Sequence, residues 1–103
     1  MPDYIIAYKG GNPPATKEEG AAHMAKWQQW IADLGENAVN PGTPLGKSRI
    51  VSAGGVSIDG GDNPMSGFSV VRAEDMDAAL EIAKACPFLD TDGTLEVAQV
   101  MQM

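Results

Sequence analysis

The sequence predicts an α+β fold in which an antiparallel sheet carries two helices on one of its faces. Short blocks rich in β-branched and aromatic residues recur along the chain and are typical of strands. Two longer stretches repeat apolar residues every three or four positions, which is typical of amphipathic helices. Their order is β, α, β-hairpin, β, α, β, a split βαβ plan. Because 103 residues suit one domain, we expect a single domain over residues 1–103.

The first strand and the first helix have clear local signals. Residues 4–9 form an aromatic and β-branched run that ends in the breaker cluster of residues 10–14. Residues 16–19, Thr-Lys-Glu-Glu, form a capping box that begins a helix. An apolar stripe then continues to Leu34, and Gly35 is placed to end the helix. The stripe consists of Met24, Trp27, Ile31 and Leu34, widened by Trp30.

The middle of the chain predicts a hairpin between two loops. Residues 40–46 hold two prolines and two glycines, which indicates a loop. Residues 49–53 are predicted as the second strand, and Gly54-Gly55 as a tight turn before a returning arm at 56–58. Residues 59–64 are predicted as a further loop, and the roles of the loops at 40–46 and 59–64 stay open.

The last third repeats the strand–helix–strand order. Residues 67–72 are predicted as a strand, after which Asp75 caps a second helix that reaches residue 85 or 86. Pro87 ends this helix, because the residue before a proline disfavours helical geometry. A turn at residues 90–93 precedes the final strand, predicted over residues 95–101.

The predicted sheet is apolar on both faces, which indicates a homodimer. In the first strand Tyr4, Ile6 and Tyr8 share one face, while Ile5 and Ala7 lie on the other. Two helices can cover only one face of a sheet. A large exposed apolar patch normally marks an interface, and twofold pairing is the commonest arrangement of homo-oligomers. A monomer whose own loops cover the second face is the alternative.

Charge and cysteine content exclude several classes of protein. The net charge of −7 comes entirely from residues 53–103, which hold two basic and nine acidic side chains. Such an acidic surface disfavours nucleic-acid binding. The single cysteine, Cys86, allows no intrachain disulfide and fits a reducing compartment, so we expect a cytoplasmic protein. No signal peptide and no apolar run of membrane-spanning length are present, so we expect no membrane partner.

An ordered set of features across almost the whole chain resembles the YCII-related proteins of the DGPF type. They are the Trp-bearing helix ending at Leu34-Gly35, Pro44-Leu45, Gly54-Gly55, Gly67-Phe68, residues 73–80, Cys86-Pro87 and residues 95–97. The resemblance implies a ferredoxin-like fold assembled as a dimeric α+β barrel. It also implies that a His–Asp pair is the suspected catalytic unit in members that resemble dehydrochlorinases or lactone isomerases. Here Asp62-Asn63-Pro64-Met65 stands in place of the DGPF tetrad.

His23 leads the candidate catalytic residues, because it is the only histidine and histidine titrates near neutral pH. Asp59 and Asp62 lie in a glycine-rich loop and could orient a histidine or polarise a substrate. Both types of residue also have ordinary roles, as a helix-surface histidine and as turn-forming aspartates. The candidate ligand-binding residues are Tyr8, Lys9, Lys26, Trp27, Trp30 and Arg72. No metal site or cofactor is expected, because no ligand spacing indicates one.

Three functions remain open from the sequence. The first is a small dimeric protein that binds a small organic ligand in a cleft between the first helix and the sheet. The second is a lyase or isomerase that acts on a small cyclic or aromatic substrate, with His23 moving a proton. The third is a structural or regulatory dimer without a ligand.

Overall fold

The computed structural model describes residues 1–102 and contains two helices, six strands and two 3₁₀ turns in that range. The 3₁₀ turns span Gly35–Asn37 and Pro87–Thr91. The helices are α1 (Lys17–Leu34) and α2 (Met76–Lys84). The strands are β1 (Asp3–Lys9), β2 (Ala38–Pro44), β3 (Val51–Ser52), β4 (Gly55–Val56), β5 (Met65–Arg72) and β6 (Thr94–Gln99).

The main sheet has four antiparallel strands in the order β2-β5-β1-β6. The two central strands are β5 and β1, which are separated in sequence by α1 and by the hairpin, so the chain has the split βαβ arrangement. This confirms the predicted ferredoxin-like α+β class. The four strands form an open sheet and do not close into a barrel by themselves.

The helix ends follow the predicted capping chemistry. The Thr16 hydroxyl accepts a hydrogen bond from the Glu19 amide at 3.1 Å, and the Glu19 carboxylate accepts one from the Ala15 amide at 3.0 Å. Gly35 ends α1 with φ of +55°, a backbone geometry that favours glycine. Asp75 caps α2 by accepting from the Ala78 amide at 2.8 Å.

The core lies between the two helices and one face of the sheet. Tyr4, Ile6 and Tyr8 of β1 are buried there, together with Val71 of β5. The helices contribute small and aromatic side chains, chiefly Trp30, Ala79 and Ala83. The molecule is only 18 Å thick along its shortest axis. That thickness accommodates one helix layer on one sheet layer, so in the described part of the chain no helix lies over the second face of the sheet.

The prediction of the second sheet strand was wrong. Residues 40–46 were expected to be a loop, yet residues 38–44 form β2 at the edge of the main sheet, paired with β5. A proline lacks the N–H that a central strand needs, but an edge strand tolerates it. The pairing shifts register on both sides of Asn40, and this irregularity accommodates Pro41 and Gly42.

The predicted hairpin exists but lies outside the main sheet. Val51 pairs with Val56 and Ser52 with Gly55, in a separate two-stranded ribbon of β3 and β4. Apolar side chains in this ribbon and just after it are exposed: the accessible fraction is 75% for Val51 and 92% for Ile58. The last strand is also shorter than the predicted residues 95–101, because β6 ends at Gln99.

Candidate functional site

A cleft of about 590 Å³ opens beside the first half of α1. One wall is α1, another is the loop that follows β1, and the third is the 3₁₀ turn Pro87–Thr91 with the residue after it. The Asn12 amide donates to the Thr91 carbonyl at 2.8 Å, which ties the second wall to the third. The lining residues include Asn12, Glu19, His23, Lys26, Trp27, Phe88, Asp90 and Asp92.

The capping box fixes which side chains of α1 face the cleft. With the helix start held at Thr16, Glu19, His23 and Trp27 follow at intervals of four residues and lie along one side of the helix. Lys26 and Ala22 flank this line and also border the cleft. The local sequence therefore determines one complete wall of the site.

Packed aromatic side chains support the cleft from beneath, and two of them, Trp27 and Phe88, also belong to its walls. The Tyr8 and Trp27 rings meet edge to face with centroids 5.4 Å apart, and Tyr8 stacks on Phe88 at 5.1 Å. Trp30 meets Trp27 edge to face at 5.5 Å. Such pairs stabilise each other beyond simple burial. The rings of Trp27 and Phe88, which border the cleft, are consequently held in fixed positions.

Two glycines make room for Phe88. A side chain at Gly11 would meet the Phe88 ring at 2.7 Å, and Gly11 has φ of +84°, where glycine is favoured. A side chain at Gly93 would overlap the same ring. The close approach of backbone on both sides confines the ring to the cleft wall.

His23 is bonded to Trp27 in this structure. The Trp27 indole N–H donates to His23 Nε2 at 2.7 Å. Nε2 therefore carries no proton, and in the neutral imidazole the proton lies on Nδ1. His23 can offer that N–H to a bound molecule. It can accept a proton at Nε2 only if the indole hydrogen bond is broken.

Three carboxylates and one ammonium group border the cleft. Lys26 Nζ lies 3.1 Å from Asp90 Oδ2, and both side chains are more than half exposed. Asp92 accepts a hydrogen bond from the Asn12 side-chain amide at 3.3 Å. Glu19 completes the set. With His23 neutral, these groups sum to a formal charge of −2.

Sequence reasoning missed Phe88, Asp90 and Asp92. They follow Pro87, where the sequence indicated only a helix end and a turn. They reach α1 through tertiary packing, with more than 60 residues between Lys26 and Asp90. The Asp90-Thr91-Asp92-Gly93 segment was visible as a turn, but no local signal connected it to His23.

Tyr8 and Lys9, both predicted ligand-binding residues, do not border the cleft. Tyr8 is buried beneath it, and its hydroxyl is hydrogen-bonded to Ser69, whose hydroxyl donates to the Pro41 carbonyl at 2.8 Å. Burial raises the pKa of Tyr8 above its ordinary range, although the bond to Ser69 opposes this. Lys9 lies at the end of β1, 3.6 Å from a carboxylate oxygen of Glu96.

Trp30 and Arg72 lie elsewhere in the fold. Trp30 is buried, and its indole N–H donates to the Ile82 carbonyl at 3.1 Å, which joins α1 to α2. Arg72 pairs with Asp3 at 3.2 Å beside the described chain ends. Of the six residues predicted to bind a ligand, Lys26 and Trp27 border the cleft.

Asp59 and Asp62 lie in the loop between β4 and β5. The Asp59 carboxylate accepts a hydrogen bond from the Gly61 amide at 2.9 Å, as in an Asx turn. Neither residue is among those that border the cleft. Within residues 1–102, the structure brings His23 together with Trp27 and leaves both aspartates outside the cleft.

Cys86 has a structural environment rather than a reactive one. The side chain is buried at the end of α2, and burial raises the pKa of its thiol to about 11. The thiol is consequently uncharged at neutral pH. In the part of the chain that the structure describes, no three His, Cys, Asp or Glu side chains converge as metal ligands would. None of its helices is both long and apolar enough to span a bilayer.

Comparison with known proteins identifies one family. The sequence model of the YCII-related domain matches residues 4–103, which is essentially the whole chain. No curated protein matches the chain.

Proposed function

This chain belongs to the family of YCII-related domains, and from that premise we propose that it binds a small organic molecule in the cleft beside α1. The observation that carries the proposal is the cleft itself. Its volume of about 590 Å³ falls in the range of small-molecule sites. Aromatic rings and a few polar groups line it together, as is typical of such sites.

The polar groups support a bound molecule that is held in one orientation. Nε2 of His23 accepts from Trp27, which leaves the proton on Nδ1, and within residues 1–102 no hydrogen bond engages that N–H. The carboxylates of Asp92 and Asp90 supply acceptors on the opposite wall. The ring of Phe88 offers an apolar surface between them. A flat molecule with polar groups at its edge fits this arrangement.

Thermal unfolding against a panel of small aromatic and cyclic compounds tests the proposal. A ligand at ten times its Kd stabilises the folded state by about 1.4 kcal/mol. For a domain of this size, that free energy raises Tm by roughly 5–10 °C. We expect at least one class of compound to produce a saturable rise.

Replacing each of two neighbouring alanines with tryptophan shows whether the stabilising ligand binds in the cleft. Ala22 and Ala21 are both exposed on α1, but only Ala22 borders the cleft. Ala22→Trp should fill the cleft and abolish the rise in Tm, whereas Ala21→Trp should preserve it. A rise that survives Ala22→Trp would place the ligand elsewhere. If no compound stabilises the wild-type protein, the ligand-free structural or regulatory dimer gains support instead.

A homodimer is the second part of the proposal. Side chains that alternate with the core residues lie on the open face of the sheet, defined here as Ile5, Ala7, Phe68, Val70 and Ala98. These five side chains are apolar, and no helix within residues 1–102 lies over them. The ion pairs Asp3–Arg72 and Lys9–Glu96 lie at the margins of the same face. A second copy of the same face would bury this patch, and two open sheets that meet in this way give the dimeric α+β barrel.

The exposed hairpin also supports a second copy as the partner. Ile50, Val51, Val56 and Ile58 all have more than half of their surface accessible. An apolar arm of this kind is costly in water and normally packs against another chain. We propose a cytoplasmic location on the basis of the single Cys86, since the chain has no cysteine pair for a disulfide.

An enzymatic role is the second candidate function, and the position of His23 in the cleft favours it. In this reading the protein is a lyase or isomerase acting on a small cyclic or aromatic substrate. His23 moves the proton in this hypothesis, and the sequence offers Asp59 or Asp62 as its orienting partner, although both lie outside the cleft. His23→Gln should abolish turnover, and Asp59→Asn or Asp62→Asn should reduce it. Unchanged turnover in His23→Gln would remove His23 from the mechanism.

A further inference from the structure

We infer that the cleft beside α1 selects cationic aromatic molecules, such as arylalkyl amines, over neutral or anionic ones of the same shape. This inference rests on the proposed function and specifies the class of its ligand. It follows from the combination of two aromatic walls with an excess of negative charge inside one concave site.

The charge balance of the cleft is unfavourable for an anion. Glu19, Asp90 and Asp92 contribute three negative charges, and Lys26 contributes one positive charge. Asp90 already engages that positive charge at 3.1 Å, so Lys26 is not free to bind a carboxylate. A single elementary charge about 4 Å away changes affinity by roughly fivefold, even at the dielectric constant of water.

The start of α1 does not reverse this preference. A helix N-terminus attracts anions through its unpaired amides. Here the Thr16 hydroxyl accepts a hydrogen bond from the Glu19 amide at 3.1 Å, and the Glu19 carboxylate lies at the same end of the helix. Glu18 adds a further negative charge in that turn. The positive end of the helix dipole is consequently offset by the chain itself.

The aromatic walls favour a cation as well as a flat ring. Trp27 and Phe88 both border the cleft. The negatively polarised faces of such rings attract ammonium groups, and tryptophan does so most strongly. His23 with its Nδ1–H remains available to a neutral polar atom of the same molecule. The two aromatic rings and the carboxylates therefore all favour a cationic aromatic ligand.

Isothermal titration with three matched indoles tests the inference. Tryptamine, tryptophol and indole-3-acetate share a ring and differ in charge at the side chain. We expect tryptamine to bind roughly fivefold more tightly than tryptophol and at least about tenfold more tightly than indole-3-acetate at low salt. The preference should weaken as salt is added, because ions screen exposed charges.

Two substitutions should shift the preference in opposite directions. Asp92→Asn removes one negative charge, and asparagine tolerates the left-handed backbone of Asp92 (φ of +63°). It should weaken tryptamine binding roughly threefold to fivefold. Lys26→Gln frees Asp90 and should strengthen tryptamine binding by a similar factor. Glu74→Gln, outside the cleft, is the matched charge control and should change nothing.

The outcomes separate this inference from the proposed function. Equal binding of all three indoles, blocked by Ala22→Trp, would overturn the charge preference while the cleft remained a binding site. Tighter binding of indole-3-acetate would overturn it as well. If none of the three indoles binds, the inference fails, and the wider compound panel decides the proposed function separately.

Discussion

Replacing Val70 with aspartate should separate the proposed dimer into monomers. Val70 lies on the open face of the sheet, where it pairs with Ile5 of the neighbouring strand. Phe68 pairs with Ala7 on the same face. The side chain of Val70 keeps part of its surface accessible in the single chain, so a carboxylate there still contacts water in the monomer. The fold should therefore tolerate the change.

The free-energy cost to the dimer is doubled, because twofold symmetry places one substituted residue from each copy in the interface. Full burial of a valine, isoleucine or phenylalanine contributes about 1.5–3 kcal/mol. Most of the Val70 surface is already buried in the single chain, so its loss removes at most about 1 kcal/mol per copy. Burying a carboxylate without a partner adds a penalty of several kcal/mol per ion. A total of at least about 4 kcal/mol weakens the dimer by a thousandfold or more.

Sedimentation velocity provides the measurement. At about 1 μM, a Kd near 10 nM would leave roughly nine-tenths of the wild type paired, whereas a Kd weakened a thousandfold would leave most chains monomeric. We therefore expect the wild type at twice the chain mass of 10.8 kDa. Val70→Asp should sediment at 10.8 kDa with an unchanged circular dichroism spectrum. Met24→Asp, on the exposed side of α1, is the control and should stay dimeric. A dimeric Val70→Asp variant or a monomeric wild type would refute the reasoning.

Three further predictions concern the scaffold beneath the cleft. Ser69→Ala removes the buried hydroxyl that is hydrogen-bonded to Tyr8 and to the Pro41 carbonyl, and should lower the free energy of unfolding in urea by about 1–3 kcal/mol. Gly93→Ala forces Phe88 to move and should cost about 1–3 kcal/mol in the same assay, together with weaker ligand binding. The pKa of Cys86 is raised from 9.0 to about 11 in the fold, so stability should be intact below pH 9 and fall as pH rises through 11. Urea titrations across that range should give a shallower fall for Cys86→Ala; an unchanged slope would contradict the assignment.

Much of the fold could be predicted because its signals are local. The capping box at Thr16, the stripe through Trp27 and Leu34, and the cap at Asp75 each specify a helix within a few residues. Strand β2 could not be predicted in the same way. Pro41 disfavours a strand unless that strand lies at an edge, and edge position depends on the order of the finished sheet.

The residues of the candidate site also differ in whether the local sequence identifies them. His23, Lys26 and Trp27 could be grouped from the sequence, because helical spacing places them on one side of α1. Their partners on the other wall could not. Phe88 and Asp90 approach α1 only after the second helix has packed and Pro87 has turned the chain. The sequence alone did not indicate which of the nine acidic residues in the second half of the chain would lie near His23.

The central claim is that a small molecule binds against Trp27, and the two indole N–H signals in a ¹H–¹⁵N spectrum test it most directly. Trp27 donates to His23 at the cleft, whereas Trp30 donates to the Ile82 carbonyl in the core. The signal that disappears in Trp27→Phe belongs to Trp27, and the remaining signal belongs to Trp30. During titration with a stabilising ligand, we predict a saturable shift of the Trp27 signal and a nearly constant Trp30 signal. A ligand that binds while the Trp27 signal stays fixed would contradict the account.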